Sequence, residues 1–276
     1  AGRPNARLKR SLARYLHEAS CLAKNLTALP TEWRIIREQR PDFLIVRYKL
    51  FRFSALLAAK WRRRPVILWV HGPGAHSYRH FEPQYVHYPF LAEWIEHVTW
   101  RLADAIVVVS TNLKHMLIAE GVVPERITVI PNGVDLERFS PSDDGVAIRA
   151  RHSLQDRVVI GPTGTLAVWH GVDHLSCVIR ELLPRYRNAS LLIVGDGKPL
   201  ARLTREAELA GVSEQLVLTG RVPHEEMPRY LAAMDIPIAP FTAEAYGAGI
   251  PFYGSALKLF EYLAMGKPVV AARIGQ

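Results

Sequence analysis

Short β-branched runs alternate with amphipathic helical stretches along most of the chain, and no other feature constrains the fold as strongly. Candidate strands at 43–48 (FLIVRY), 65–71 (PVILWVH), 104–110 (DAIVVVS) and 127–131 (ITVIP) are separated by helical stretches at 50–62, 90–101 and 111–121. A polar segment, SPSDDG (140–145), then reads as a linker. The rhythm resumes with strands expected at 157–161, 190–195, 216–219, 235–240 and 268–272, and helices at 171–186, 198–210, 225–233 and 255–265. Strands alternating with helices imply parallel sheets covered on both faces. The expectation is an α/β chain of two doubly wound domains facing each other, over 1–140 and 157–276, joined by a linker at 141–156. At 276 residues the chain has length for two such cores.

The charge is uneven. Residues 1–65 hold 16 Lys and Arg against 4 Asp and Glu, a net of +12, whereas the remaining 211 hold 19 against 22, a net of −3. Leu8, Leu12, Tyr15, Leu16, Ala19, Leu22, Ala23 and Leu26 recur at helical spacing, predicting an amphipathic helix over 7–29 with Arg7, Lys9, Arg10, Arg14 and Lys24 on its polar side. Such a face suits an anionic membrane surface, or it is a solvated basic face and nothing more. A nucleic-acid partner is disfavoured, because neither interleaved aromatics nor a recognition helix accompanies the charge. Two cysteines, Cys21 and Cys177, cannot form a disulfide framework, so the expected location is the cytoplasm, with residues 1–65 resting on the inner face of a membrane. No apolar run approaches the ~18 residues of a membrane span.

In open parallel sheets ligands bind beyond the carboxyl ends of the strands, and the unusual residues gather there. His71-Gly72-Pro73-Gly74 follows the second strand and Pro131-Asn132-Gly133-Val134-Asp135 the fourth. Gly161-Pro162-Thr163-Gly164-Thr165, Gly195-Asp196-Gly197, Gly220-Arg221 and Pro240-Phe241 end strands of the second half. Glycine at these places lets backbone approach a phosphate or a sugar. A dinucleotide fingerprint fails, since Leu200 stands where its third glycine belongs, and no phosphate loop of the form G-x-x-x-x-G-K-[ST] exists. His71, His76, His80 and His87 match no zinc spacing, so no metal is expected.

The most informative segment is GSALKLFEYLAMG (254–266). Ser255 is placed to cap a helix running through Met265. Lys258 falls in its first turn, where the macrodipole disfavours a cation by ~0.3–1 kcal/mol unless an anion occupies the helix start. Glu261, one turn on among apolar neighbours, needs a cleft, a partner, or an i,i+3 pairing with Lys258. Ribose hydroxyls would satisfy its carboxylate.

The runs RITVIPNGVDLERF (126–139), SLLIVGDG (190–197), LVLTGRVPHEEMPRYLAAMDIPIAPF (216–241) and SALKLFEYLAMGKPVVAA (255–272) resemble glycosyltransferase family 4, the retaining "group 1" enzymes of GT-B fold. The resemblance covers most of the chain from about residue 41. It implies two Rossmann-like domains, an acceptor-side one over 1–140 and a donor-binding one over 157–276. It implies transfer of a hexosyl group from a nucleoside-diphosphate sugar to a hydroxyl of a glycan or lipid-linked acceptor, with retention and without an essential metal or other cofactor. Carried over by position, Glu261 matches the glutamate that holds the donor ribose, and His71 the histidine near the transferred sugar. Gly164 and Thr165 match the glycine loop under the diphosphate, Arg221 and Val222 the stretch beside the base, and Asn132 to Asp135 the approach to the interdomain crossover. Leaving-group charge would be stabilised by the helix start at Ser255–Lys258, by Lys258 itself and by the loop amides.

Two departures qualify that picture. Tyr253 stands where the family's first glutamate belongs, and the usual pair of diphosphate-binding cations falls at Thr165 and His170. A subgroup with W-H-G and S-P-L-K-L-F-E-Y stretches is closer, given Trp169-His170-Gly171 and Ser255-Ala256-Leu257-Lys258, and Lys258 would then supply the missing charge. The family's opening strand and glycine-rich loop, and its closing strands and helices, find no counterpart here. Both domains are therefore expected to be incomplete, and a non-catalytic sugar-nucleotide binder or inactive fragment is the alternative function.

Overall fold

The computed structural model describes residues 3–81, 86–142, 144–167, 170–242 and 250–275, with backbone alone for 3–14, 80 and 81. Two compact units emerge. The first comprises Ala1–Pro131, Tyr253–Ser255 and Gly275–Gln276, and the second Asn132–Phe252 and Ala256–Ile274.

The first unit is a four-stranded parallel sheet in the order β1 (Leu44–Arg47), β2 (Val66–Val70), β3 (Ala105–Val108), β4 (Ile127–Val129). Register pairs Leu68 with Ile106 and Val46 with Leu68, so the alternate residues Val66, Leu68, Val70, Ile106 and Val108 are fully buried. The connections are helical: α2 (Ser54–Trp61), α3 (Gly74–Phe81), α4 (Pro89–Leu102) and α5 (Thr111–Ala119). Ahead of them runs α1 (Arg3–Gln39), longer than the predicted 7–29. Its packing on α2, with Ile36 buried, carries the helix through Pro30, where the sequence alone suggests a stop.

Asn25 fixes that packing. Its amide donates to Phe51 O at 2.7 Å, and its Oδ1 accepts from the amides of Phe53 and Ser54 at 2.9 and 3.0 Å. Those amides open α2, whose own cap residue Phe53 makes no side-chain bond, so α1 caps α2 from outside. Phe51, held by the same amide, has φ +63°, a left-handed conformation costly for a bulky residue.

The second unit is a five-stranded parallel sheet in the order β7 (Leu216–Gly220), β6 (Ala189–Val194), β5 (Val158–Gly161), β8 (Ile236–Ala239), β9 (Val270–Ala271). Every residue of β6, an interior strand beside the central β5, is buried. Leu175, Ile179, Leu183, Leu191, Ile193 and Leu203 make its core, against α7 (Val172–Cys177), a one-turn π-helix at Val178–Leu182, and α8 (Leu200–Leu209). Buried Gln215 closes one end by donating to the carbonyls of Leu183, Tyr186 and Ala189. Because the chain adds β6 and β7 on one side of β5 and then β8 and β9 on the other, the order reverses between β5 and β8. A crevice opens at such a switch point, beyond the strands' carboxyl ends.

The expected linker at 141–156 is not a separate tether. It carries α6 (Val146–Arg151), packed against α9 (Met227–Ala233), with Ile148 buried. A Cβ on Gly145 would lie 2.3 Å from Ala233 N, so only glycine allows this approach. Arg149 then pairs with Asp235 at 2.8 Å, while the other carboxylate oxygen of Asp235 accepts from Val159 N at 2.7 Å. Polar turn residues hid a short helix, and the division between units falls earlier, at Pro131–Asn132.

Replacing Asn25 with Leu keeps the volume but leaves two amides and a carbonyl unmet. Urea unfolding should show a loss of about 2–4 kcal/mol.

Candidate functional site

In the second unit the loop after β5 is built almost wholly from backbone. Gly161 lies so close to β6 that a Cβ would stand 1.8 Å from Leu192 O. Gly164 has φ +90° and donates to Val194 O at 2.8 Å. Gly195, at φ +147°, stacks on it closely enough that a Cβ would be 1.9 Å from Gly164 O. Glycine is thus needed at Gly161 and Gly195 for close approach and at Gly164 for its positive φ, and Thr165 is left exposed at the crest.

The helix α10 (Leu257–Ala264) meets this loop. Tyr262 Oη accepts from Thr163 N at 2.9 Å and lies 3.0 Å from Thr163 Oγ1. Burial pushes that phenol up to about 12. One turn earlier, the Lys258 ammonium lies 4.0 Å from the place a Cβ on Gly164 would take and 5.2 Å from the centre of the Phe241 ring. Burial lowers its pKa to about 8, with Glu261 pulling the other way. The Glu261 carboxyl is raised by burial and lowered by His224 and Lys258. Among the described residues no ion pair joins Lys258 to Glu261, so the i,i+3 pairing reading is not met.

His170 lies at the same place. Its Nδ1 contacts Thr165 O, and its ring meets Phe241 edge-on at 5.3 Å. Burial and the Lys258 charge push its pKa down to about 4, so it is neutral at pH 7 and supplies no cation. Gly171 follows with φ +67°, and a Cβ there would stand 1.4 Å from Pro240 O, which ties the start of α7 to the end of β8. Trp169 lies outside the described residues. Arg221 is exposed and Val222 half-buried, both just past the end of β7.

Ser255 does not cap α10. The cap position is Ala256, with no side-chain bond, and Ser255 groups with the first unit. The helix starts one residue later than the Ser-capping pattern predicts. Lys258 therefore sits in a first turn whose cap residue offers no side-chain acceptor.

In the first unit, His71 follows β2 directly. Its ring lies 5.0 Å from that of Trp69, its Nδ1 is buried without a hydrogen-bond partner among the described residues, and burial and Arg47 lower its pKa. It is a neutral imidazole at pH 7. Tyr253 packs against the same turn: a Cβ on Gly72 would be 2.8 Å from its Cε2, its hydroxyl lies 2.9 Å from Ser77 Oγ, and its carbonyl accepts from Ser110 Oγ at 2.6 Å. Tyr253 is thus a structural neighbour of the His71 turn. No group of three or more His, Cys, Asp or Glu side chains among the described residues could hold a metal ion.

The structure therefore brings Lys258 and His170 together at Phe241, with Gly164 beside Lys258, Thr165 beside His170, and Glu261 within electrostatic reach of Lys258. Sequence reasoning overlooked Tyr262 and Thr163, although a tyrosine on the apolar face of a helix signals a hydrogen-bond partner. Glycine-lined backbone, a buried lysine and a carboxylate one turn away thus share this end of the sheet.

Two parallel-sheet units of this kind, each covered by helices, are the fold of the GT-B class. Solved structures agree on the fold: Anabaena Alr3699/HepE in complex with UDP is 21% identical with a TM-score of 0.68, over 90% of this chain and 63% of that one. Sucrose-phosphate synthase from Thermosynechococcus elongatus is 18% identical with a TM-score of 0.62, over 90% of this chain and 61% of that one. Residues 6–138 match the model of Glycosyltransferase Family 4, and residues 157–276 that of Glycosyl transferases group 1. The chain belongs to this glycosyltransferase family. A GDP-mannose-dependent α-(1-6)-phosphatidylinositol monomannoside mannosyltransferase of Mycolicibacterium smegmatis is 34% identical over 63% of this chain and 45% of its own length. A 2-deoxystreptamine glucosyltransferase of Streptomyces kanamyceticus is 30% identical over 66% and 46%. The chain spans about half the length of these relatives.

A lysine with a lowered pKa stabilises the fold fully only above its unfolded value near 10.5, and that contribution is lost as pH falls through 8. Replacing Lys258 with Met should raise the stability of the ligand-free chain at pH 7 by about 1–2 kcal/mol. Urea titrations at pH 7 and pH 10 check this, since the gain should shrink at the higher pH.

Proposed function

We propose that the chain is the core of a hexosyltransferase that moves a sugar from a nucleoside-diphosphate donor to a hydroxyl of a glycan or lipid-linked acceptor. The observation that carries this reading is the meeting of Lys258 with the Gly164 loop at the start of α10. When the bond between sugar and diphosphate breaks, negative charge grows on the leaving group. Lys258, the α10 amides and the Gly164–Thr165 backbone supply donors fixed in advance, which need no reorganisation as the charge develops.

Glu261 is assigned to the ribose hydroxyls, Arg221 and Val222 to the base. His170, neutral, is assigned as a hydrogen-bonding group beside the diphosphate rather than a counter-charge. His71, also neutral, is assigned to the sugar and acceptor hydroxyl. With Lys258 as the cation that takes up leaving-group charge, the reading is of transfer without an essential metal. Retention of configuration rests on the family resemblance. No further cofactor is invoked.

The first test is thermal stabilisation by UDP, GDP and ADP and their sugar conjugates, with and without EDTA. A ligand at a hundredfold excess over Kd adds about 2.7 kcal/mol, and one base should stand out with no effect of EDTA. Glu261→Ala should weaken that nucleotide at least tenfold, and unchanged affinity would overturn the assignment. A non-catalytic binder would show the same shifts without product when the donor panel is assayed for transfer.

The acceptor side of the proposal includes an anionic membrane. Its support is the net +12 of residues 1–65 and the exposure of Leu26 (76%) and Trp61 (74%). The mannosyltransferase relatives named for phosphatidylinositol mannosides favour it too. No helix among the described residues is long and apolar enough to cross a membrane. Co-sedimentation should be strong with vesicles containing phosphatidylglycerol, weak with pure phosphatidylcholine, and reduced severalfold by 0.5 M salt, where the screening length falls to about 4 Å.

A further inference from the structure

Glu96, on α4, is 4% exposed, yet it carries a carboxylate. Its Oε1 accepts from the Tyr48 hydroxyl at 2.5 Å, from Gly74 N at 2.5 Å and from Ala75 N at 3.3 Å. Gly74 and Ala75 are the first residues of α3, three and four positions after His71. The first amides of a helix that follows a parallel strand through a glycine turn are the usual place for a phosphate. Here they already hold an anion. Gly74 makes this possible, because a Cβ there would stand 2.8 Å from Tyr48 Oη. The turn is pinned again by Ser77 Oγ donating to Pro73 O at 2.7 Å.

We propose that Glu96 is a positioning residue, an internal anion that occupies the start of α3, holds the Gly72–Ala75 turn through its amides, and so sets the place of His71 in the transfer reaction. The inference rests on the assignment of His71 given above. It adds that the first unit binds no phosphate at this turn, because its own carboxylate takes the donors a phosphate would need.

The site is also built to respond to pH. Burial raises Glu96 to about 7, against the bonds from Tyr48, Gly74 and Ala75 that favour its ionised form. Facing it are the Tyr48 phenol, raised by burial and by Glu96, and the Tyr253 phenol, raised by the same causes. Tyr78 couples to Tyr48, and Glu120 on the far side adds repulsion while pairing with His97 at 2.9 Å. Ionised Glu96 holds the amides most strongly, so the turn should loosen as pH falls through 7. In stability the sign is opposite: an acid with a raised pKa contributes fully below its unfolded value, near 4.5, and that contribution is lost as pH rises through 7.

The test uses the full chain with Glu96→Gln, which keeps the shape and removes the charge, and Tyr48→Phe, which removes one donor. With the donor that stabilises the protein, Glu96→Gln should lower kcat about tenfold. It should leave KM within twofold and abolish the acid limb with its midpoint near 7. Tyr48→Phe should move that midpoint to higher pH. Independently of activity, the His71 ring resonances of the wild type should report a step near pH 7 that Glu96→Gln lacks. The melting temperature of Glu96→Gln relative to wild type should rise by about 3 °C between pH 5 and pH 8. Should no nucleotide bind the wild type, the transfer reading falls, and the His71 titration still decides the role of Glu96. A His71 signal, or a kcat profile, that is the same in wild type and Glu96→Gln overturns the inference.

Discussion

A helix leaves its first amides without partners, and in a fold made of parallel strands feeding helices this happens at every crossover. Water cannot answer those amides where the helix start is buried, so something else must. In the first unit the chain answers from within. Asn25 of α1 takes the amides that open α2, and buried Glu18 of α1 takes those of His87 and Tyr88 ahead of α4. Ser110 caps α5 with its own hydroxyl, and Glu96 of α4 takes the start of α3. Each bond joins elements far apart in sequence or closes a turn, so satisfying the amides also fixes the packing.

In the second unit the starts of α7, α8, α9 and α10 have no side-chain cap, and α10 stands apart by its lysine. The cap residue of α10, Ala256, offers no acceptor, and Lys258 brings a positive charge to the same place. Lys258 bears the cost of partial burial without an ion pair to Glu261. The two units thus solve one problem in opposite ways. One closes a helix start with a carboxylate of its own, and the other brings a lysine to a helix start whose cap residue makes no side-chain bond.

Much of this was legible in the residues. Periodicity placed the nine strands of the described residues within a residue or two, because strand length and β-branching are local properties, and the glycines at 161, 164 and 195 marked loops where backbones touch. Two helices escaped. α3 begins in a Gly-Pro-Gly turn and α6 in a Pro-Ser-Asp-Gly run, sequences that local preference assigns to loops, and both are held by contacts from elsewhere: Glu96 and Tyr48 for the first, Ala233 and Asp235 for the second. His170 read as a weak cation, but burial beside Lys258 makes it neutral. Ser255 read as a cap, but the helix starts a residue later.

The sequence by itself determined the class of fold, the glycines at the strand ends, and the spacing that sets Glu261 one turn after the first-turn Lys258 of α10. Those follow from spacing along the chain, which needs no partner to be read. Only the tertiary structure decided the protonation of His71 and His170, the engagement of Thr163 by Tyr262, and the bonds that buried Glu96 accepts from Tyr48 and the start of α3. Burial and long-range hydrogen bonding govern these, and both depend on which residues, distant in sequence, the two sheets bring together.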